Sequence, residues 1–255
     1  MRTGLDARSL IVAAVDLEVR LIRSQLADLV REETEKGRAW SGKWKGTPVL
    51  LVTTGIGPAR ARRVLAPLVR KNAVLRIFSI GYAGALRDGI QVGDLLIPRE
   101  IRMDLWGAGN RFNPDPALFE SACRTALNRG WPFSTDPMVT TDHVVASEPE
   151  KRRLGTRCEA GSVEMESAVV AELAEQASLP FVTVRVALDT VEFALPDVSQ
   201  FLRFWRQRRW GSLLVCGARD PSSLVRLIRV WRYTRYASDR LTGFLGEYFS
   251  DRSHP

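Results

Sequence analysis

The chain has little of what disulfide scaffolds and metal centres are built from. Its 255 residues include three cysteines, Cys123, Cys158 and Cys216, and two histidines. An odd, widely spaced set of thiols points to a reduced, cytoplasmic protein rather than a disulfide frame. Two histidines with no Cys/His clustering exclude the usual structural zinc arrangements, and no metal is expected. Long apolar runs are missing as well, so no segment is expected to span a bilayer. The stretch Leu10–Val15 is apolar, but Asp16 and Glu18 follow at once. It is too short and wrongly flanked for a secretory signal. There is no internal repeat and no low-complexity linker.

What is present is an ordinary globular composition, 45% hydrophobic and 26% charged, on a chain long enough for one large core. The net charge of +8 is unevenly spread. Arginines crowd between Arg203 and Arg240, interleaved with Trp205, Trp210, Trp231, Tyr233 and Tyr236. Such a segment suits nucleic acid, an anionic membrane surface, or simply a solvated helix face. No recognised nucleic-acid motif accompanies it, so nucleic acid is not an expected partner.

Hydrophobic patterning predicts alternating strands and helices. Ser9–Val15 reads as a buried strand, and Leu17–Val30 has helical spacing. Arg38–Trp44 and Pro48–Thr53 read as strands joined through Lys45-Gly46. Ala59–Arg70 is helical, with Pro58 near its start. Val74–Ile80 is a strand ending in Gly81-Tyr82-Ala83-Gly84, and Val92–Pro98 is a short strand. Trp106–Pro116 is irregular and Ala117–Asn128 helical. Met138–Val145 is strand-like, Glu148–Leu154 a short helix, Val163–Ala177 helical and Phe181–Ala187 a strand. After Pro196 the pattern is helical nearly to the end, with breaks at Gly211, Gly217 and Pro221. The predicted class is α/β, a mixed, mostly parallel central sheet flanked by helices. One domain is expected over residues 1–194, with a helical extension over 195–255 packed on it or continuous with it.

Two glycine-bearing turns follow neighbouring strands, Thr53-Thr54-Gly55-Ile56-Gly57 and Gly81–Gly84. Each alone could merely turn the chain. Together they mark the carboxyl edge of the sheet, where open α/β folds bind ligands. Further on come the acidic cluster Val163-Glu164-Met165-Glu166-Ser167 and the run Arg185-Val186-Ala187-Leu188-Asp189. A carboxylate ending a buried strand is costly unless it has a partner or a task. Glu166 could equally satisfy free amides at a helix start, Glu18 could be a first-turn helix glutamate, and Asp189 could be a helix cap.

In this order and spacing, Gly55-Ile56-Gly57, Gly81–Leu86, Val92-Gly93-Asp94, Val163–Ser167 and Phe181–Asp189 resemble the purine and uridine phosphorylase superfamily. The resemblance covers roughly Ser9 to Asp189. Its nearest branch holds the methylthioadenosine/adenosylhomocysteine nucleosidases. It implies cleavage of the N-glycosidic bond of a purine nucleoside, with adenine as the base, no cofactor, and a homo-oligomer. It further implies that Glu166 holds the ribose hydroxyls above Met165, that Asp189 protonates purine N7, and that Glu18 activates water. Gly81, Tyr82, Ala83, Gly84, Val144 and Val145 would line the substrate site. Phosphorylase members carry a phosphate-binding arginine where this chain has Ser79, which favours water as nucleophile. Arg20, Arg60 and Arg62 keep a phosphorolytic alternative open. A nucleoside- or nucleic-acid-binding module without turnover is the alternative of another class.

The chain departs from the nucleosidase pattern in two places. Val144 stands where a phenylalanine usually faces the base, and Tyr82 where a small residue is usual. His143 beside Val144 is either a ligand contact or a loop histidine. Trp106 and Phe112 are either pocket-closing aromatics of an oligomer or core residues. The tail beyond Asp189, with Glu150–Leu154 and Gly161–Ser167, resembles the hopanoid-associated nucleoside phosphorylase-like proteins. The implied substrate there is adenosylhopane, whose 5′ substituent is a membrane lipid. Leu224, Leu227, Ile228, Trp231 and Leu241 fall near one helical stripe, with Arg226, Arg229, Arg232 and Arg235 alongside. Peripheral contact with the inner membrane face is the corresponding expectation.

Overall fold

The computed structural model describes residues 8–34, 36–71, 74–104, 109–193 and 221–251. At its centre four parallel strands lie side by side: β1 (Arg8–Ala13), β4 (Thr47–Thr53), β5 (Val74–Ala85) and β12 (Phe181–Asp189). Their order is β4-β1-β5-β12. On one margin, β3 (Arg38–Trp44) pairs antiparallel with β4, and β2 (Ala27–Glu32) pairs antiparallel with β3. The other margin is built from short strands. β11 (Ser162–Glu164) meets the end of β5, then β10 (Met138–Thr140), β7 (Ile101–Met103) and β8 (Arg111–Phe112) follow outward. β6 (Leu95–Leu96) pairs with β12 and with β9 (Phe133–Ser134). The class is mixed α/β, parallel at the centre and antiparallel toward the edges.

Alternation along the central strands divides the core into two layers. Ile11, Leu51, Phe78, Val182 and Val184 face one way, against α1 (Asp16–Ser24), α3 (Pro116–Asn128) and the last helix, α6 (Pro221–Tyr248). Leu10, Val12, Leu50, Ile77 and Phe181 face the other way, against α2 (Pro58–Lys71) and α5 (Ser167–Gln176). A further helix, α4 (Glu148–Cys158), covers the turn after β5. Ala237, Leu241, Phe244, Leu245 and Tyr248 of α6 are all buried in the first layer. The described end of the C-terminal extension is therefore part of the main core.

Several expected elements are corrected. The helix expected over Leu17–Val30 stops at Ser24, and the chain returns as edge strand β2. Asp28 there has φ of 53°, which no helix tolerates. The strand expected over Val74–Ile80 runs on through its glycines to Ala85. The strand expected over Met138–Val145 ends at Thr140. Val163 and Glu164 are strand, not helix, so the acidic cluster spans a strand-to-helix turn. Within Trp106–Pro116, Arg111 and Phe112 form β8, and Phe112 is a buried core residue. Trp106 and most of the extension's first half, including the expected boundary near residue 195, lie outside the described residues.

Candidate active site

Glu18, Glu164 and Glu166, three of the site's four buried carboxylates, gather where β5, β12 and the β11–α5 turn meet. β12 carries Arg185 to their centre, 1% exposed. Its Nη2 donates to Glu164 Oε2 at 2.6 Å, Ser167 Oγ at 2.9 Å and Ser79 Oγ at 3.2 Å, and lies 3.9 Å from Glu166 Oε2. Glu164 accepts the backbone N–H of Glu166 at 2.9 Å and of Ser167 at 2.8 Å, and the Thr140 hydroxyl. Glu164, rather than Glu166, therefore satisfies the free amides at the start of α5. That leaves Glu166 available. Its Oε1 accepts the N–H of Gly57 at 2.7 Å, linking it to the first glycine turn. Burial and the neighbouring Glu164 charge push the Glu166 acid well up, against the pull of Arg185.

Glu18 enters from the first turn of α1. Its Oε2 accepts the N–H groups of Ala14 and Val15, each at 2.9 Å, so it does serve its own helix start. Its Oε1 does something else: it accepts the N–H of Tyr82 at 2.9 Å, across to β5. Gly81 makes that reach possible. A β-carbon there would stand 2.8 Å from the Glu18 carboxyl carbon and 2.5 Å from Arg185 Nη1. Burial raises the Glu18 acid, opposed by Arg185 and the three amides.

Asp189 ends β12 opposite Gly84, 1% exposed. Lys151 of α4, fully buried, donates to its Oδ2 at 2.5 Å. Among the described residues no hydrogen bond is found to Asp189 Oδ1. It lies 2.9 Å from where a β-carbon on Gly84 would sit, so glycine is required there too. Burial pushes the Asp189 acid up to about 6, with Lys151 pulling the other way. A carboxyl that holds its proton near neutrality and has one free oxygen can give that proton to a ligand atom.

The remaining expected residues divide. Met165 is half-buried between Glu164 and Glu166. Ala83 packs with Ala187 beneath the site. The Tyr82 hydroxyl bonds Ser238 of α6 at 2.5 Å, and its backbone N–H donates to Glu18. Val145 is buried in one cluster with Leu86, Leu154 and Val163, while Val144 is exposed. His143 is exposed, with Nδ1 2.8 Å from Asp142 and Nε2 3.4 Å from Glu150, as a loop histidine would be. Of the arginines, Arg62 is paired with Glu172 and Arg20 is exposed, while Arg60 leans on Gly55.

Sequence reading missed three residues: Glu164, Arg185 as the hub of the carboxylates, and Lys151. The strand pattern held a signal for Arg185, since a buried run carrying one guanidinium needs an acidic partner. Lys151 had none, being one cation among several in Lys151-Arg152-Arg153. Among the described residues no His/Cys/Asp/Glu group has the arrangement of a metal site.

Comparison with known proteins gives the family and the fold. The family model of the phosphorylase superfamily matches residues 8–208. The 5'-methylthioadenosine/S-adenosylhomocysteine nucleosidase of Shewanella loihica is 25% identical over 208 residues, 75% of this chain and 90% of the relative. The nucleosidase of the same name from Neisseria meningitidis, solved with methylthio-immucillin-A, superposes with a TM-score of 0.75 at 22% identity, covering 95% of this chain and 98% of the other. Futalosine hydrolase of Helicobacter pylori superposes with a TM-score of 0.76 at 14% identity, covering 95% and 97%. The two solved structures share the fold.

Proposed function

Because the chain belongs to the phosphorylase superfamily, we propose that this site hydrolyses the N-glycosidic bond of an adenine nucleoside. One observation carries the reading. Asp189 presents a buried oxygen without a hydrogen-bond partner among the described residues, on a carboxyl whose acid is raised to about 6. The nucleosidase names of the relatives support the same chemistry.

The transition state of such a cleavage is oxocarbenium-like, with positive charge on the ribose and negative charge on the departing base. Asp189 gives its proton to purine N7 as the C1′–N9 bond breaks and its electron pair goes to the base. Glu166, held by Gly57, grips the ribose 2′- and 3′-hydroxyls, with Met165 under the sugar. Glu18, aimed past Gly81 toward Arg185, takes a proton from the attacking water. Gly81 and Gly84 keep the floor of the site thin where those two carboxylates cross it. Water is favoured over phosphate because Ser79 is held by Arg185 and Arg62 by Glu172. The test is adenine release from 5′-substituted adenosines with and without phosphate.

The finer reading concerns the 5′ substituent. A lipid-linked adenosine, as the hopanoid-associated resemblance implies, suits an enzyme that works at a membrane face. Trp231, Arg232, Arg235 and Tyr236 are exposed on α6 while its opposite side is buried. Leu224, Arg226, Leu227, Ile228 and Arg229 lie outside the described side chains, and Leu241 belongs to the core. Among the described residues no helix is long and apolar enough to cross a membrane. The contact proposed is a peripheral one. The superfamily resemblance adds self-association as a homo-oligomer, which sedimentation equilibrium measures.

A further inference from the structure

The ion pair between Lys151 and Asp189 stands out among the buried charges. The lysine is 0% exposed and the aspartate 1%. Lys151 Nζ donates to Asp189 Oδ2 at 2.5 Å, to the Thr190 carbonyl at 2.8 Å and to the Phe193 carbonyl at 2.9 Å. An ammonium has three protons, and here each is committed. It cannot swing toward a ligand and bond it directly. Its geometry fixes one aspartate oxygen and leaves the other, Oδ1, above Gly84 with no side chain bonded to it among the described residues.

We propose that Lys151 is the positioning residue of the general acid, and that it compensates the carboxylate which Asp189 becomes on giving up its proton. This rests on the hydrolase reading above. When Asp189 protonates N7, the O–H bond breaks and its electrons stay on the carboxylate. A carboxylate that is 1% exposed would be strongly disfavoured without a cation. Lys151 supplies it at hydrogen-bond distance. Among the described residues no other charged side chain is bonded to Asp189: β5 faces it with the Gly84 and Ala85 backbone, and the following turn contributes carbonyls to the lysine. The nearby cations Arg152 and Arg185 are held by Asp88 and Glu164.

The test is Lys151→Met in the full chain, with kcat/KM, KM and melting temperature followed from pH 5 to 9. Loss of the cation should move the alkaline limb of kcat/KM upward by about one pH unit or more, because Asp189 then keeps its proton longer. Turnover should fall about tenfold or more with KM little changed. Ethylamine should partly restore the rate of Lys151→Ala. The melting temperature should drop further below that of the natural chain at pH 8 than at pH 5. An unmoved alkaline limb would overturn the proposal. So would an equal loss of stability at pH 5 and pH 8, up to unfolding at both, which assigns the lysine to tying the two carbonyls only. If the natural chain releases no base from any adenine nucleoside, the hydrolase reading fails on its own, while the melting profiles still report the coupling of the pair.

Discussion

Gly81 is the residue that lets Glu18 cross into the site: the Glu18 carboxylate fills the space a β-carbon on residue 81 would need. Gly81 has φ of 142° and pairs across the sheet with Arg185, so carboxylate, glycine and guanidinium are stacked in one place. Gly81→Ala should therefore displace Glu18 or Arg185 rather than merely stiffen a turn. Turnover is expected to fall by about a hundredfold or more, with a stability loss of about 2 kcal/mol. Gly46→Asn is the control, at a hairpin glycine with φ of 88° and nothing within 4 Å of the added carbon. It should change neither. Normal turnover in Gly81→Ala would remove Glu18 from the mechanism.

Rate should depend on pH through Asp189. Its acid is raised to about 6, and the protonated form is the active one, so kcat/KM should decline as pH rises through that region. Asp189→Asn should stay folded, since the amide oxygen still accepts from Lys151. It should lose most turnover at every pH, because an amide has no proton to give. A pH profile unchanged by that substitution would remove Asp189 as the acid.

Glu166 makes a separate prediction about stability. Its acid is raised in the fold above the ordinary value of 4.5, mainly by burial. The native state thus holds a proton that the unfolded chain releases, and stability is lost as pH rises above 4.5. Glu166→Gln should be more stable than the natural chain at pH 8, by about 1–2 kcal/mol, and similar to it at pH 4.5. The same variant should lose about tenfold to a hundredfold in kcat/KM, because an amide NH2 replaces one of the two oxygens that meet the sugar hydroxyls. Thermal melts at the two pH values and steady-state kinetics measure both effects.

The exposed face of α6 can be tested without removing the helix, which truncation would do at the cost of Leu241, Phe244 and Tyr248 from the core. Arg235 lies over the Trp231 ring at 5.1 Å, a pairing suited to an interface. The natural chain should sediment with anionic vesicles, bind neutral ones weakly, and be released by salt. A variant carrying Trp231→Ala, Arg232→Glu and Arg235→Glu should stay in solution. Equal behaviour of the two chains would make that face an ordinary solvated surface.

The parts legible in the sequence were those whose cause is local. Buried strands such as β1 and β12 announce themselves by apolar runs, and Asp189 by ending one of them. The family pattern then placed Glu166 and Glu18 in order along the chain. What sequence reading lost was set by tertiary contact. β2 continues the helical spacing of α1, and as an edge strand exposed along nearly its whole length it shows no inward-outward alternation. The partner of the Tyr82 hydroxyl, Ser238, comes from α6, more than 150 positions later. Lys151 reads as a solvated cation until the turn after β12 brings two carbonyls and a carboxylate to it. Glu164 and Glu166 are equivalent on paper, and only the strand-to-helix turn decides which one serves the helix and which is left for a ligand.

The central claim is best tested by following the products. A 5′-substituted adenosine is incubated with the full chain in phosphate-free buffer made with ¹⁸O-labelled water, and the products are resolved by mass spectrometry. The account predicts free adenine together with a free sugar carrying the label at C1′. Adenine released only after phosphate is added, as a sugar 1-phosphate, would contradict it, and so would recovery of the intact nucleoside.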